Sequence, residues 1–436
     1  MAVDAMKTLL NVVSRSGALV LLMLAFTCRA AESNEPKIRS LAEPEGHQFV
    51  KAVTLRDTVI QTDIAGVRMP VATLNKGQSI DVDVQQPGLY QVRFGNAQGD
   101  ITPADVRILQ KDKIDHLLDG LIDQASDEME VHQKNILTKT RVPVYDSISY
   151  QPKVFAYLNS NLRYPVLGKI QDSNNVSWYL VNLADQLKYL KSSDVELDHG
   201  IPVLTYHHLL TNAENKYFRH TSTTTSDAAF NNQMAYLKQA GYQTLTMEQL
   251  DGYVHATNNL PARAVVLTFD DGLKSVYKYA YPILKKYDLN AVAFIISSRI
   301  KYFPQKWDPN TLQFLSIQEI DAMSDVFEIE SHTHFLHKRA ATRHPILLSK
   351  SYHNIYRDFV RSKKALAKFN HNADYLSYPF GGYNSRAIKA AKEAGYRLAV
   401  TTEQGKVQVH DNPYTLKRVY VLRTDPVQVF AEKIRN

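Results

Sequence analysis

The sequence predicts an α/β protein in which a barrel of seven or eight β/α units follows two small all-β modules. From residue 199 onward, apolar runs of strand length alternate with segments of helical periodicity. Between residues 42 and 198, short segments instead alternate apolar and polar residues, which is the period of half-buried strands. At 436 residues, of which 44% are hydrophobic and 22% charged, the chain is long enough for about three folded domains.

The first 30 residues have the order of regions found in a secretory signal. Lys7 and Arg15 are basic, an apolar stretch runs from Ala18 to Phe26, and a small residue follows at Ala30. The apolar stretch is too short to span a bilayer as a permanent anchor. We therefore expect residues 1–30 to be a signal peptide and the protein to be secreted or held in the cell envelope.

The composition argues against two classes of protein. The single cysteine, Cys28, lies within the signal, so cleavage near Ala30 would leave a chain that disulfides cannot stabilise. Lipid attachment at Cys28 is the alternative, although Ala25 and Thr27 depart from the usual pattern before such a cysteine.

The net charge of +7 is mild and no Arg/Lys cluster stands out, which argues against nucleic acid and for contact with anionic envelope polymers. The oligomeric state stays open.

An internal repeat lies between the signal and residue 198. Residues 88–94 and 177–183 share an alternating pattern at an offset of 89 residues, and the match continues to Asp105 and Asp194. The pattern predicts two antiparallel modules, at residues 42–107 and 136–198. They resemble bacterial SH3-like domains, a resemblance that implies binding to cell-wall polymer. Trp178 aligns with a core position of the first module, which favours a buried side chain over sugar stacking.

Residues 108–135 are predicted to be a helical linker between the modules. Apolar residues at 114, 117, 118, 121 and 122 have the spacing of an amphipathic helix. We expect this helix to pack on one module, with a partner-binding role as the alternative.

The segment 199–436 has the pattern of a β/α barrel. A predicted helix at 227–240 lies between Ser226 and Gly241, both suited to capping, and Ser316 with Glu319 forms a capping box. A further helix is predicted at 387–394. The predicted strands are 203–207, 242–246, 264–269, 291–297, 327–331, 375–379, 397–401 and 418–421.

Two adjacent carboxylates mark the end of the most apolar strand. Asp270 and Asp271 follow the run 264–267 and precede Gly272, so they emerge where parallel strands carry their chemistry. Two acidic side chains there are costly unless a cation pairs with them. About 60 residues later, His332, His334 and His337 follow the strand-like segment 327–329.

One aspartate and two histidines form a ligand set that suits zinc or a similar divalent ion. The second aspartate is then free to act as a base on water. Taken singly, paired aspartates can cap a helix and clustered histidines can be solvated loop residues. The two patterns together favour a metal site.

These residues resemble the polysaccharide deacetylases with a NodB-type domain, the family-4 carbohydrate esterases. The first family motif, TFDDG, is present at 268–272, and His332-Thr333 with His337 matches the second. The five-residue spacing of these histidines is similar to that of the subgroup that trims poly-N-acetylglucosamine in biofilms, the IcaB and PgaB type. Ser377 or Tyr378 takes the place of the third motif's arginine, again as in that subgroup. The resemblance covers residues 199–436.

The resemblance implies a distorted (β/α) barrel and a role for each matched residue. Asp271, His332 and His337 would bind the divalent ion, which we expect to be Zn²⁺, and Asp270 would be the catalytic base. A backbone N–H near Phe380 would hold the oxyanion. The substrate-binding residues are expected to be Tyr206, His207, Tyr378, Pro379 and Phe380.

The sequence departs from the family pattern in two places. The third motif lacks its arginine, and Lys417 or Arg418 from the last strand is the candidate replacement. The C-terminal Leu-x-x-His that supplies the general acid is also missing. His410 is one candidate for that role, and a proton returned by Asp270 is the other. His334 could pair with His332 as a ligand, but the family alignment prefers His337 and leaves His334 an accessory residue.

The predicted function is metal-dependent hydrolysis of N-acetyl groups on an N-acetylglucosamine polymer. The motif spacing favours poly-β-1,6-N-acetylglucosamine, whereas the SH3-like modules favour peptidoglycan. A non-enzymatic cell-wall-binding adaptor with a degenerate deacetylase domain is the alternative from another class. An O-acetyl esterase acting on xylan is a weaker option.

Overall fold

The computed structural model describes residues 49–84, 88–109, 134–149 and 151–436. The predicted signal peptide at 1–30 and nearly all of the predicted helical linker at 108–135 lie outside these residues. Within the described part, Ile108 ends one strand and Lys134 begins the next. The residues described below belong to one compact unit, Gln48–Asn436.

The described chain is all β up to Leu197. Its strands alternate buried and exposed side chains, most regularly in Thr58–Ile64, as the period-two pattern predicts. The strands are β1 (Phe49–Thr54), β2 (Thr58–Ile64), β3 (Val67–Leu74), β4 (Ser79–Asp83), β5 (Tyr90–Phe94), β6 (Ala97–Ile101), β7 (Val106–Ile108), β8 (Lys134–Thr138), β9 (Val142–Tyr145), β10 (Val154–Leu158), β11 (Leu162–Val166), β12 (Gly168–Gln171), β13 (Ser177–Leu183), β14 (Gln186–Lys191) and β15 (Glu196–Leu197).

The two repeats share one sheet and one core. Among the described strands, twelve run in the order β12-β13-β14-β9-β10-β3-β2-β6-β5-β4-β1-β7. The repeats meet where β10 pairs with β3 and where Leu183 pairs with Phe94. Side chains from both repeats belong to the same buried cluster, including Phe94, Tyr164 and Val181. Trp178 is 2% exposed, as its alignment with a core position predicted. The domain boundaries and the SH3-like assignment stay predictions.

The remainder of the chain alternates strands with helices. Each predicted barrel strand is present, with ends that differ by at most three residues. The strands are β16 (Val203–Tyr206), β17 (His208–Leu210), β18 (Thr224–Ser226), β19 (Gln243–Thr244), β20 (Leu260–Pro261), β21 (Ala264–Phe269), β22 (Ala291–Ile295), β23 (Phe327–Ser331), β24 (Tyr375–Ser377), β25 (Leu398–Gln404) and β26 (Leu416–Tyr420). The helices are α1 (Asp227–Gln239), α2 (Met247–Val254), α3 (Tyr281–Tyr287), α4 (Ile317–Ala322), α5 (Tyr352–Leu366), α6 (Ser385–Glu393) and α7 (Val427–Ile434).

The predicted helix ends have the expected caps. Ser226 accepts a hydrogen bond from the Ala229 N–H at the start of α1. Ser316 and Glu319 form the predicted capping box at the start of α4. The predicted starts of α1 and α4 are therefore confirmed.

Parallel pairing closes the barrel. Among the described strands, β16 pairs with both β21 and β26, so seven strands run in a closed order from β16 through β21 to β26. The short β19 pairs with the beginning of β21. The strands β21, β22 and β23 are almost fully buried, which explains the nearly continuous apolar sequences of β21 and β22. The fold is α/β, with an all-β part before the barrel, and the carboxyl ends of the barrel strands meet at one end.

The all-β part is joined to the amino-terminal end of the barrel. Strand β11 pairs with β20, which directly precedes β21. Arg163 of β11 donates to Asp198 at 2.7 Å, and the Tyr253 hydroxyl of α2 donates to the same carboxylate at 2.9 Å. The contacts lie at the opposite end from the carboxyl ends of the strands. In the part of the chain that is described, no helix has the length and apolarity needed to cross a membrane.

Candidate active site

The predicted acidic and histidine residues come together at the carboxyl end of the barrel. Asp270 and Asp271 follow β21, and His332 follows β23, two strands along the sheet. His337 reaches the same place through the loop after β23. Parallel strands bring their carboxyl ends to one edge, so residues about 60 positions apart become neighbours.

Asp271, His332 and His337 form a cluster of ligand atoms. One atom from each lies within 4.8 Å of the others. The Oδ1 atom of Asp271 lies 3.2 Å from Nε2 of His337 and 3.6 Å from Nε2 of His332. Asp271 holds this position with a positive φ of 78°, an uncommon conformation for a residue with a side chain.

The hydrogen-bond pattern shows that this cluster fits a cation. The Nδ1 atom of His332 lies 2.7 Å from the carbonyl oxygen of Ser377. Because a carbonyl can only accept, Nδ1 carries the proton, and in the neutral ring Nε2 presents a lone pair. Asp271 Oδ1 is buried and has no hydrogen-bond donor. Lone pairs that face one another with no proton between them repel unless a cation binds them. One carboxylate oxygen and two imidazole nitrogens are ligands that suit a divalent metal.

Burial keeps the imidazole of His337 neutral. It lowers the pKa of His337 well below its usual value, and His332 and Arg299 add to the shift. Burial also raises the pKa of Asp271, and the charge of Asp270 adds to this, whereas His332 opposes it. A neutral imidazole is the form that binds a metal.

Asp270 is held by an arginine from the last barrel strand. Arg418 of β26 donates to Oδ1 of Asp270 at 2.9 Å and to Oδ2 at 2.7 Å. Its Nε donates to the carbonyl oxygen of Thr401 at 2.7 Å, and the side chain is fully buried. Burial alone would raise the pKa of Asp270, but the charge of Arg418, the nearby His332 and the hydrogen bonds from Arg418 hold it well below its usual value. Of the two candidate replacements for the motif arginine, Arg418 is therefore the one that contacts Asp270.

Ser377 connects the base to the ligand set, and the sequence analysis did not assign it this role. Its hydroxyl donates to Oδ2 of Asp270 at 3.2 Å. Its carbonyl oxygen orients His332, as described above. The only sequence signal was its position in the third motif, at the end of β24.

Asp358 is a second residue that the sequence analysis missed. It lies on α5 and accepts hydrogen bonds from the backbone N–H groups of His334 and Phe335, each at 2.8 Å. These two residues form the turn between His332 and His337. Asp358 therefore holds the loop that carries both imidazoles, and nothing in the local sequence around α5 indicated this contact.

Phe380 lies against the ligand cluster. Its ring centroid is 4.3 Å from that of His337, and the Arg339 guanidinium lies 3.9 Å above the Phe380 ring. Its φ is +56°, and the following Gly381 has no space for a side chain, because a Cβ there would lie 2.0 Å from Thr402 Oγ1. Pro379 is buried beside it. The oxyanion role of this backbone stays a prediction.

Two predicted substrate-binding side chains lie in the core instead. Tyr206 is 1% exposed and its hydroxyl donates to Gln233 Oε1 at 2.9 Å, while its ring packs on Phe230 and Phe269. Tyr378 is fully buried and stacks on Tyr383. Successive strand residues point to opposite faces of the sheet, and both side chains pack among residues of the helices that cover the barrel. The prediction that they contact substrate is wrong.

His207 stays a predicted substrate-binding residue. It follows Tyr206, whose carbonyl oxygen accepts the N–H of Asp270 at 3.0 Å, and it is half-buried. Burial lowers its pKa, while the charge of Asp270 opposes the shift. The ring is therefore neutral at neutral pH.

Neither accessory histidine joins the cluster. The Nδ1 of His334 lies 2.9 Å from Ser297 Oγ, and its ring packs on Phe335. The backbone N–H of His410 donates to the carbonyl oxygen of Val254. This contact lies near the point where Val407 pairs with Ile201, just before β16. His410 thus lies at the amino-terminal end of the barrel, and its prediction as general acid is wrong.

The chain is similar to known polysaccharide deacetylases. The polysaccharide deacetylase family model matches residues 257–399. The poly-beta-1,6-N-acetyl-D-glucosamine N-deacetylase of Staphylococcus aureus (strain MSSA476) is 30% identical over 199 residues, which are 45% of this chain and 67% of that protein. YxkH of Bacillus subtilis (strain 168), also named for polysaccharide deacetylase, is 30% identical over 223 residues, 51% of this chain and 71% of that protein. The solved structure of IcaB from Ammonifex degensii is 26% identical, with a TM-score of 0.47, and covers 55% of this chain and 98% of that one.

Proposed function

The chain belongs to the polysaccharide deacetylase family, and from this membership we propose that it removes N-acetyl groups from an N-acetylglucosamine polymer in the cell envelope. The reaction is hydrolysis of a carbon–nitrogen bond other than a peptide bond. The observation that carries the proposal is the convergence of three metal-binding groups beside an aspartate that Arg418 keeps ionised.

Asp271, His332 and His337 would hold the divalent ion, and zinc is the ion that this ligand set suits best. Such an ion supplies Lewis acidity, which polarises the acetyl carbonyl and acidifies water. Ser377 keeps the His332 ring in the tautomer that binds metal. The buried surroundings keep the ring of His337 neutral.

Asp270 takes the proton of the attacking water. Because Arg418 and Ser377 donate to its oxygens, it is ionised at any working pH, and it is a weak base. Asp270 therefore needs an acidified water as its partner. After the carbon–oxygen bond forms, Asp270 returns the proton to the departing nitrogen, the carbon–nitrogen bond breaks, and acetate and an amine are released. With His410 at the other end of the barrel, this route replaces the missing family histidine.

The β-1,6-linked polymer is the favoured substrate. The matching relative from Staphylococcus aureus is named for that polymer. The five-residue spacing of His332 and His337 and the replacement of the motif arginine by Ser377 or Tyr378 point to the same subgroup. Peptidoglycan is the alternative polymer, and it rests on the two N-terminal repeats. Export by residues 1–30 and cell-wall binding by the repeats are proposed from their sequence patterns.

The adaptor alternative loses one of its two supports. It rested on the missing arginine of the third motif and on the missing general acid, and Arg418 supplies a guanidinium to Asp270 from another strand.

The test is amine release from defined β-1,6- and β-1,4-linked N-acetylglucosamine oligomers, with chelator treatment followed by metal add-back. We expect release from the β-1,6 series, loss with chelator, recovery with zinc, and loss in Asp271→Asn. Asp321→Asn, an exposed position on α4, is the control. Release from the β-1,4 series alone would move the assignment to peptidoglycan or chitin. No release from either series would overturn the enzyme assignment for these substrates.

A further inference from the structure

A cleft lined by aromatic residues begins three residues after Asp271 in the chain and takes no part in the chemistry above. It has a volume of about 490 Å³ and is lined by Tyr277, Tyr281 and Trp307 together with Lys274 and Lys278. Lys274 is three residues beyond the ligand Asp271. Concave surfaces with aromatic walls and a few polar groups are the usual form of a ligand site.

The cleft is continuous with the catalytic loop through backbone hydrogen bonds. Lys274 donates its N–H to the carbonyl oxygen of Gln313, and Leu315 donates to the carbonyl oxygen of Gly272, both at 2.9 Å. The segment that carries Trp307 is thereby attached to the residues that directly follow Asp271. A polymer bound at Asp271 would pass this cleft when it extends to that side.

A turn of π-helix arranges two of the aromatic rings. Val276–Ala280 is a π-helical turn that leads directly into α3. Tyr277 and Tyr281, on consecutive turns, stack with centroids 5.8 Å apart and an interplanar angle of 12°. Irregular turns of this kind occur most often at functional sites. The stacked pair forms one wall of the cleft.

Trp307 is fixed in place by Glu214. Its Nε1 donates to Glu214 Oε1 at 3.0 Å, and the same carboxylate accepts from the hydroxyls of Tyr279 and Thr211. The Tyr279 ring meets Trp307 edge to face at 5.8 Å. A ring held in this way loses little conformational freedom when a ligand binds, which favours affinity.

The charge on Lys278 disfavours a cationic sugar in the cleft. Among the described residues that line it, Lys274 is paired with Glu319 in a buried contact, and Lys278 is left with its ammonium 5.4 Å from the Trp307 ring. The surplus charge is positive. A de-N-acetylated sugar carries an ammonium group at neutral pH and would be repelled, whereas an acetylated sugar is neutral.

We propose that this cleft is a subsite for N-acetylated sugar units that neighbour the unit being hydrolysed. The inference rests on the proposed function. The apolar C–H faces of the sugar ring stack on Tyr277, Tyr281 or Trp307, and the Lys278 side chain faces the acetyl and hydroxyl oxygens. The protein would then act preferentially where neighbouring units still carry acetyl groups.

The test measures binding separately from turnover. Calorimetric titration of the chelator-treated protein would use an acetylated β-1,6 pentamer, the disaccharide, and a pentamer whose flanking units are glucosamine. We expect the acetylated pentamer to bind about tenfold more tightly than either other ligand. Tyr281→Leu, which keeps an apolar side chain, should weaken pentamer binding about tenfold and leave disaccharide binding unchanged. Lys278→Glu, on the exposed surface, should remove the discrimination against the glucosamine pentamer.

Tyr356→Leu is the matched control, because Tyr352 and Tyr356 form a similar stacked pair on α5, outside the cleft. Equal pentamer binding by the wild type, Tyr281→Leu and Tyr356→Leu would overturn the subsite, even if deacetylation is intact. Preference for the glucosamine pentamer would also overturn it. Cleft-dependent binding without acetate release would support the subsite and count against the proposed activity.

Discussion

Arg418 shows how a single side chain from another strand can replace a motif residue. It lies on β26, yet both of its terminal nitrogens reach Asp270, which follows β21. Its Nε contact to the carbonyl oxygen of Thr401 sets the plane of the guanidinium. The planar, two-pronged donor is what matches a carboxylate, and lysine cannot reproduce it.

We expect Arg418→Lys to reduce kcat/KM on the β-1,6 oligomer about a hundredfold, since the base loses its orientation. Arg418→Gln should also move the acidic limb of the pH profile to higher pH. Without the guanidinium, burial raises the pKa of Asp270, so the carboxylate is protonated sooner as pH falls. Steady-state kinetics across pH measure both effects. Lys417→Met, at an exposed neighbour, is the control, and wild-type kinetics in Arg418→Lys would contradict the assignment.

His208 gives the fold a pH dependence that is independent of catalysis. It is 3% exposed, with Nδ1 2.8 Å from Ser275 Oγ, and burial lowers its pKa to about 4. The unfolded chain has an ordinary pKa near ~6.5 and takes up a proton first. The stability supplied by the neutral ring is complete above that value and is lost as pH falls towards the folded pKa.

Between pH 7 and pH 5, His208 alone should remove roughly 2 kcal/mol from the free energy of unfolding. Urea unfolding at the two pH values measures the loss. His208→Gln should show a smaller difference between them, whereas His220→Gln, at an exposed histidine, should behave as the wild type. The same difference in all three proteins would exclude His208 as the source.

At the scale of elements, the loop after β23 is held by its neighbours. Residues 332–337 carry two of the three ligands, and this loop contacts α5 through Asp358. Thr333, between them, has a positive φ of 69°. Phe380, from the loop after β24, packs on the ring of His337. The spacing of the ligands is therefore maintained by contacts from two other elements.

Asp358→Asn should weaken zinc binding by about tenfold or more, in the range typical of partners that hold metal ligands. An amide can accept from only one of the two N–H groups without placing its own NH₂ against the other. Competition with a chromophoric chelator measures the affinity. Asp321→Asn on α4 should bind as the wild type, and unchanged affinity in Asp358→Asn would show that the loop keeps its shape unaided.

At the scale of the whole molecule, the all-β part and the barrel share a buried polar contact. The side chains of Arg163 and Asp198 are 3% and 2% exposed, and Arg163 also donates to the carbonyl oxygen of Pro261. Tyr253 completes the set from α2. Buried charges are stable only while each has its partner.

Asp198→Ala should lower the free energy of unfolding by about 3–5 kcal/mol, because it leaves a buried guanidinium unpaired. Glu196 lies two residues before Asp198 and forms an exposed ion pair with Lys139. Glu196→Ala should lower the free energy of unfolding by less than about 1 kcal/mol. Urea denaturation compares the two variants. Similar losses in both would mean that the Arg163 contact is not what stabilises the junction.

The sequence by itself determined the barrel, its strands and most of the residues that meet at its carboxyl end. Apolar runs and capping residues are local signals, and they predicted β21, α1 and α4 because those elements form wherever their own residues permit. Asp270, Asp271, His332 and His337 were found because their order after two strands implies that they meet at the carboxyl end of a parallel barrel.

Only the tertiary structure decided which side chains face that end and which groups support them. Tyr206 and Tyr378 point into the core, His410 lies at the opposite end, and Arg418, Ser377 and Asp358 hold the base and the ligands. These contacts join residues far apart in the chain, and each depends on which face of its strand or helix a side chain occupies once the elements pack. A local pattern carries no record of that packing, so the supporting residues could be known only from the folded chain.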